Sequence, residues 1–262
     1  MNQRELYGPE FYARYTATSE VSAQAIVPEI IKLLRPASVV DVGCGEGVWL
    51  KTFADCGVAR VCGIDGDYVR RDRLKIPADR FQARDLSKPF EAAERFALAV
   101  SLEVAEHLPE SSAEAFVRSL TSLSDTVLFS AAVPFQTGAN HINLQWQDYW
   151  ADLFAARGYV AVDAIRPIIW QNALVSFWYR QNMLLFVEKD HIKSQPALMQ
   201  AWERTRSAQL SVAHPQFVTF IGQGVSPEQL DSLWLGQVVP RLPRMLLRSL
   251  ARRLGLGGAR RK

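Results

Sequence analysis

Residues 38–47 constrain the fold more than any other stretch of the chain. Ser38-Val39-Val40-Asp41-Val42 is a short apolar, β-branched run of the kind that forms a buried strand. Gly43-Cys44-Gly45-Glu46-Gly47 follows at once, and a helical pattern opens at Val48 and runs to Cys56, with Gly57 as its stop. A strand passing through a glycine turn into a helix begins a βαβ unit. The rest of the sequence keeps that alternation. Strands are expected at 58–64, 80–83, 96–102, 126–133, 159–165 and 182–188, and helices at 20–34, 112–123 and 145–157. This order predicts an α/β fold, a mostly parallel sheet with helices on both faces. The last two strands are expected as an antiparallel edge. No internal repeat interrupts the pattern.

Composition narrows the classes further. Of 262 residues, 48% are apolar and 22% charged, enough apolar material for a real core and too much for a disordered chain. Apolar stretches such as Val127 to Phe135 are too short to span a bilayer as a helix. The first residues, MNQRELYGPEF, lack a secretory pattern, and three cysteines (Cys44, Cys56, Cys62) build no disulfide framework. A cytoplasmic protein is expected. Charge is uneven: the net value is +3, yet residues 239–262 hold eight basic side chains and no acids, leaving −5 for residues 1–238. An acidic body makes nucleic acid an unlikely partner. In the tail, Met245, Leu246, Leu247, Leu250 and Leu254 share a helical face, and Arg244, Arg248 and Arg252 share another. Such a helix suits an anionic membrane surface, which would place the protein at the inner face of the membrane.

Acidic residues stand where strands end. Asp65 closes the second strand 22 residues after Gly43, placed to accept ribose hydroxyl protons, and Asp85 closes the third, placed to accept from an adenine amino group. The glycine spacing is G-x-G-x-G, not the dinucleotide G-x-G-x-x-G. DVGCGEG, GIDGD, ARDL and FALAVSLEVAEHLPE together resemble class I S-adenosylmethionine-dependent methyltransferases, over roughly residues 7–188. HINLQWQDYWADLF and FWYRQN resemble the bacterial methyltransferase-domain proteins associated with polysaccharide or secondary-metabolite pathways. The resemblance implies a Rossmann-like, seven-stranded sheet with S-adenosylmethionine over the carboxyl ends of its first strands. It implies a cofactor site of Asp41, Gly43, Cys44 (through its backbone), Gly45, Asp65, Gly66, Asp85, Leu86 and Glu103. The methyltransferase domain is expected to span 1–188, followed by an accessory helical segment at 189–238 and the basic amphipathic tail at 239–262.

Glu103, Glu106, His107 and His141 form a second constellation. Glu103 and His107 are four apart, so at a helix start they would share a face and could hold one divalent ion, magnesium, manganese or zinc, with Glu106 and His141. This pattern resembles metal-assisted O-methyltransferases, in which the ion lowers the pKa of the attacked hydroxyl. Without a metal, His107 or His141 could serve as general base, with Glu106 beside them. Trp146, Tyr149, Trp150 and Phe154 read as a core stripe, whereas Trp170, Phe177, Trp178 and Tyr179 read as a loop that could wall an acceptor site. Asn140, Asn143 and Gln145 could hydrogen-bond acceptor hydroxyls. The expected reaction is O-methylation of a small or glycan-like hydroxylated acceptor. The alternatives are N-methylation of an amino sugar, 2′-O-methylation of a small RNA, and a silent scaffold.

Overall fold

The computed structural model describes residues 9–91 and 94–222. The basic tail 239–262, and the part of the 189–238 segment beyond 222, lie outside the described residues. In chain order the elements are α1 (Pro9–Leu34), β1 (Ser38–Val42), α2 (Val48–Asp55), β2 (Arg60–Asp65), β3 (Phe81–Ala83), β4 (Leu98–Leu102), α3 (Ala113–Leu123) and β5 (Thr126–Ser130). They continue with α4 (Gln147–Ala155), β6 (Tyr159–Val162), α5 (Arg166–Ile169), α6 (Phe177–Asn182), β7 (Leu184–Glu188), α7 (Pro196–Arg204) and α8 (Pro215–Gly222).

The seven strands form one sheet in the order β3-β2-β1-β4-β5-β7-β6. Pairing is parallel from β3 to β5, and β7 runs antiparallel to both β5 and β6. The last two strands form the antiparallel edge as expected, with β7 inserted between β5 and β6. Side chains alternate across the sheet with the strand period. Val39 of β1 and Leu185 and Val187 of β7 face one core with Ile26, Ile30, Leu50 and Phe53. Val40, Val42, Leu184 and Phe186 face the other with Phe116, Leu120, Trp150 and Phe154. Both faces are covered, which is why these strands read as continuous apolar runs. Of the aromatic stripe, Trp150 and Phe154 are almost fully buried core residues as expected, Tyr149 packs partly buried against them, and Trp146 is half-buried outside both cores.

Three expectations change. The first helix begins at Pro9, not at residue 20. FWYRQN is not a loop: Phe177–Asn182 is the helix α6, whose Tyr179, Arg180, Gln181 and Asn182 are buried. Residues 191–217 continue the body, because Ile192 and Leu198 enter the first core and Leu210 the second. Among the described residues no helix is long and apolar enough to cross a membrane.

Strand order reverses direction between β1 and β4. At such a switch point the loops leaving the carboxyl ends diverge and open a crevice.

Candidate active site

A cleft of about 120 Å³ occupies that crevice. Its floor is the turn after β1. Gly43, Gly45 and Gly47 all have positive φ (86°, 52° and 84°), a conformation in which side chains are strained. Gly43 has a second reason to lack one: an added Cβ would stand 2.3 Å from Val104 Cγ2. The turn is tied to β2 through the Gly43 amide, which donates to Ile64 O at 2.7 Å.

Asp65 ends β2 and organises this half of the cleft. Its Oδ2 accepts from the Gly45 amide at 2.7 Å, and its Oδ1 from the Gly66 amide at 2.6 Å and the Tyr68 hydroxyl at 2.7 Å. A carboxylate offers roughly four lone-pair positions, so one stays open to a ligand. Burial raises the Asp65 pKa, and its three donors oppose the rise. Burial pushes the neighbouring Asp41 up to about 8, with the charge of Asp65 adding to the effect.

Of the residues expected at a cofactor, Gly43, Gly45, Asp65, Gly66, Asp85, Leu86 and Glu103 line the cleft. Asp41 is buried behind the lining, 3% exposed. The Cys44 side chain faces the core toward Gly63, leaving only its backbone at the turn. Asp85 is engaged locally: Ser87 donates to its Oδ1 from the amide and the hydroxyl, and Lys88 sits 3.3 Å from Oδ2. Ser87 accordingly holds the Asp85 carboxyl below its usual range. Tyr68, Arg84, Ser87, Val104 and Leu108 also line the cleft and were not anticipated. Tyr68 had one available signal, an aromatic ring three residues after the strand-ending acid.

The other half of the cleft follows β4. Glu103 has φ 56°, a left-handed conformation that is costly for a residue with a Cβ and recurs at functional sites. Its Oε2 accepts from Gln136 Nε2 at 2.9 Å and its Oε1 from Asn182 Nδ2 at 3.2 Å. Asn182 also donates to Gln136 Oε1 at 3.0 Å, closing a triangle. Burial raises the Glu103 pKa against these donors. Neither Gln136 nor Asn182 had been singled out as a site residue.

Ala105–His107 forms a single 3₁₀ turn, so Glu103, Glu106 and His107 do not share an α-helical face as expected. Glu106, His107 and His141 nevertheless converge, with ligand atoms within 4.8 Å of one another, and Glu103 stands outside the group. The long loop after β5 delivers His141, because the amides of Ile142 and Asn143 donate to the Glu106 carbonyl at 2.9 and 3.0 Å. The His107 and His141 rings meet edge to face at 4.9 Å. His141 Nδ1 lies 2.8 Å from Gln136 O. A carbonyl only accepts, so Nδ1 carries the proton and Nε2 keeps the lone pair.

Glu106 is fully buried, and neither carboxylate oxygen reaches a donor at hydrogen-bonding geometry among the described residues. Burial, then the charge of Glu103, holds its pKa well above the ordinary value; the amides of Glu106 and Ala132 oppose this, and the Glu103 side chain beside it adds to the rise. Burial, with His141 adding, drives the His107 pKa down to about 3, and burial lowers that of His141. Both imidazoles are neutral at physiological pH. Asn140 and Gln145 stay at the loop surface, with Gln145 donating to Asn143 Oδ1 at 3.1 Å.

The model of a family described as a methyltransferase domain matches residues 13–205. The chain belongs to this family. It is an S-adenosylmethionine-dependent methyltransferase, and its glycine turn, strand-ending acids and switch-point cleft lie within the matched span. Solved structures share the fold at low identity. DesVI of Streptomyces venezuelae aligns with a TM-score of 0.52 and 14% identity, over 68% of this chain and 96% of that one. The DhpI–SAH complex gives 0.51 and 17%, over 70% and 93%. Magnesium protoporphyrin IX methyltransferase from Synechocystis PCC 6803, with bound SAH, gives 0.50 and 18%, over 71% and 93%. No protein of curated function matches this methyltransferase.

Proposed function

We propose that this methyltransferase methylates a hydroxyl of a small or glycan-like acceptor with the help of a divalent cation. The observation that carries the reading is Glu106, a fully buried carboxylate without a hydrogen-bond donor, grouped with two neutral imidazoles on the cleft. A buried acid left alone is costly, and a cation removes that cost.

The cleft fits its cofactor chemically. Asp65 and Glu103 line the cleft on either side of the glycine turn, which suits a ligand carrying a positive sulfonium and a positive amino group. The open lone pair of Asp65 is available to a ribose hydroxyl, and Leu86 and Val104 offer apolar faces to a base. S-adenosylmethionine, when bound, supplies a methyl group for in-line displacement by the acceptor oxygen. Magnesium, manganese or zinc held by Glu106, His107 and His141 would lower the pKa of that hydroxyl. Gln136 holds the His141 ring by its Nδ1 proton, so that the Nε2 lone pair is kept for the ion or for the hydroxyl proton. Gln136 and Asn182 keep Glu103 oriented between the two halves of the cleft. Phe135 and Ile142, 70% and 51% exposed on the His141 loop, provide apolar surface for one face of a sugar or ring. The net charge of −5 on residues 1–238 weighs against a polynucleotide. A membrane-bound acceptor would give the basic tail a use.

A thermal-shift titration with S-adenosylhomocysteine tests the reading, first in EDTA and then with manganese or magnesium. At 100 times its Kd, a ligand that binds only the folded state stabilises by about 2.7 kcal/mol. The expected result is a shift in EDTA and a further metal-dependent shift that Glu106→Gln abolishes. No shift with S-adenosylhomocysteine would indicate a silent scaffold, and no metal response would remove the cation from the mechanism.

A further inference from the structure

A second cavity of about 490 Å³ lies between α1, residues 173–176, α6 and the start of α8. That size falls in the range of about 300–1,000 Å³ typical of small-molecule sites. Its walls are apolar: Val21, Leu174, Val175, Phe177 and Trp178 line it, with Val21 and Leu174 exposed to solvent. One charged group joins them, Arg180, which is only 5% exposed.

Arg180 lacks what a buried arginine needs. Its Nη1 donates to Trp170 O at 3.3 Å and its Nη2 to the Gln216 side-chain oxygen, both neutral acceptors. Its Nε has no acceptor and no acid pairs with it among the described residues. Arg166 shows the alternative. It is equally buried, but Asp163 receives its Nε at 2.9 Å and its Nη2 at 2.7 Å. The imidazole nearest Arg180 supplies no negative charge either: His214 Nδ1 accepts from the Gln216 amide, and Nε2 faces Trp170 O. Among the described residues, then, a guanidinium held by two neutral acceptors and paired with no acid lines a groove of aliphatic and aromatic walls. An anion on an apolar body satisfies both at once.

We propose that this groove binds an amphiphilic anion, a carboxylate or phosphate monoester on an apolar or aromatic body, and that such an anion is the hydroxylated acceptor. Its use as acceptor rests on the methyl-transfer reading above; the binding site itself does not. The link is α6, which holds Arg180 in the groove and, two residues later, places Asn182 on Glu103 of the cleft.

Calorimetric titration of the full chain with 1-naphthoate, 1-naphthyl phosphate and uncharged 1-naphthamide tests the site. At least one anion should bind about tenfold or more tightly than the amide, and the tighter of the two identifies the head group. Arg180→Gln should erase the preference while leaving the S-adenosylhomocysteine thermal shift intact. Should that variant fail to fold, Leu174→Glu, at a residue 66% exposed at the groove mouth, should weaken the anions and spare the amide. Equal affinity for the amide and both anions, or no saturable heat from any of the three, overturns the proposal and makes Arg180 a structural clamp. Anion binding without any response to S-adenosylhomocysteine supports the site and overturns the cofactor reading alone.

Discussion

The two halves of the cleft hold their acids in opposite ways. After β2, Asp65 accepts from three protein donors, two backbone amides and a tyrosine hydroxyl. After β4, Glu106 is more deeply buried and has no such donor. A satisfied carboxylate shapes backbone: Asp65 pins the glycine turn and Gly66. An unsatisfied one is relieved by holding its proton, which is the direction burial drives Glu106, or, on the reading proposed above, by a bound cation. The difference separates an acid held by the backbone from an acid held only by its burial.

The largest effect should come from the built half. Gly43→Ala combines a positive φ with a 2.3 Å approach to Val104, for a loss of about 3 kcal/mol. In a chain of this size that lowers Tm by roughly 6–12 °C. A Tm within a degree of wild type would break the view that this turn is over-determined. Next, Asp65→Ala should weaken S-adenosylhomocysteine binding by about 100-fold, or 2.7 kcal/mol, as read by calorimetry. It should also lower the melting point in the absence of ligand, since buried donors lose their acceptor.

Glu106→Gln should behave with the opposite sign. In EDTA its melting point should equal or exceed that of wild type, by up to about 1 kcal/mol, because an uncompensated buried acid has been removed. A marked destabilisation would show that Glu106 is as satisfied as Asp65, and would erase the contrast. The last prediction concerns pH rather than a substitution. Asp41 has a folded pKa of about 8, against about 3.9 when unfolded. Between those values the folded state keeps a proton that the unfolded state has lost. This contribution to stability is therefore full below the unfolded pKa and disappears as pH rises toward 8. The ligand-free protein should melt lower at pH 8 than at pH 5, and Asp41→Asn should narrow that gap. An unchanged gap would assign the slope to other groups.

Much of the first half was legible because its signals are local. The run Ser38–Val42, the glycines after it and the acids ending β2 and β3 lie in short windows with fixed periodicity. The second half was legible only in part. Glu106, His107 and His141 could be named together from a motif, but a shared α-helical face was the wrong geometry. The chain makes one 3₁₀ turn there and puts Glu103 in a left-handed conformation. Gln136 and Asn182 gave no local signal; they meet Glu103 across separations of 33 and 79 residues. The helix α6 was hidden because FWYRQN is short and rich in aromatics, and its burial against α1 and the sheet, not propensity, makes it helical.

Local pattern determined the strand–helix alternation, the buried sheet, the glycine turn and the acids at the strand ends, because each depends on spacing along a few residues. Tertiary structure decided which acids are satisfied. It tied Asp65 to its donors, buried Glu106 beside two imidazoles, and, among the described residues, gave Arg166 an acid and Arg180 none. The reason is physical: whether a buried charge is paired depends on atoms brought in from distant positions, and desolvation acts only once the chain has closed around them.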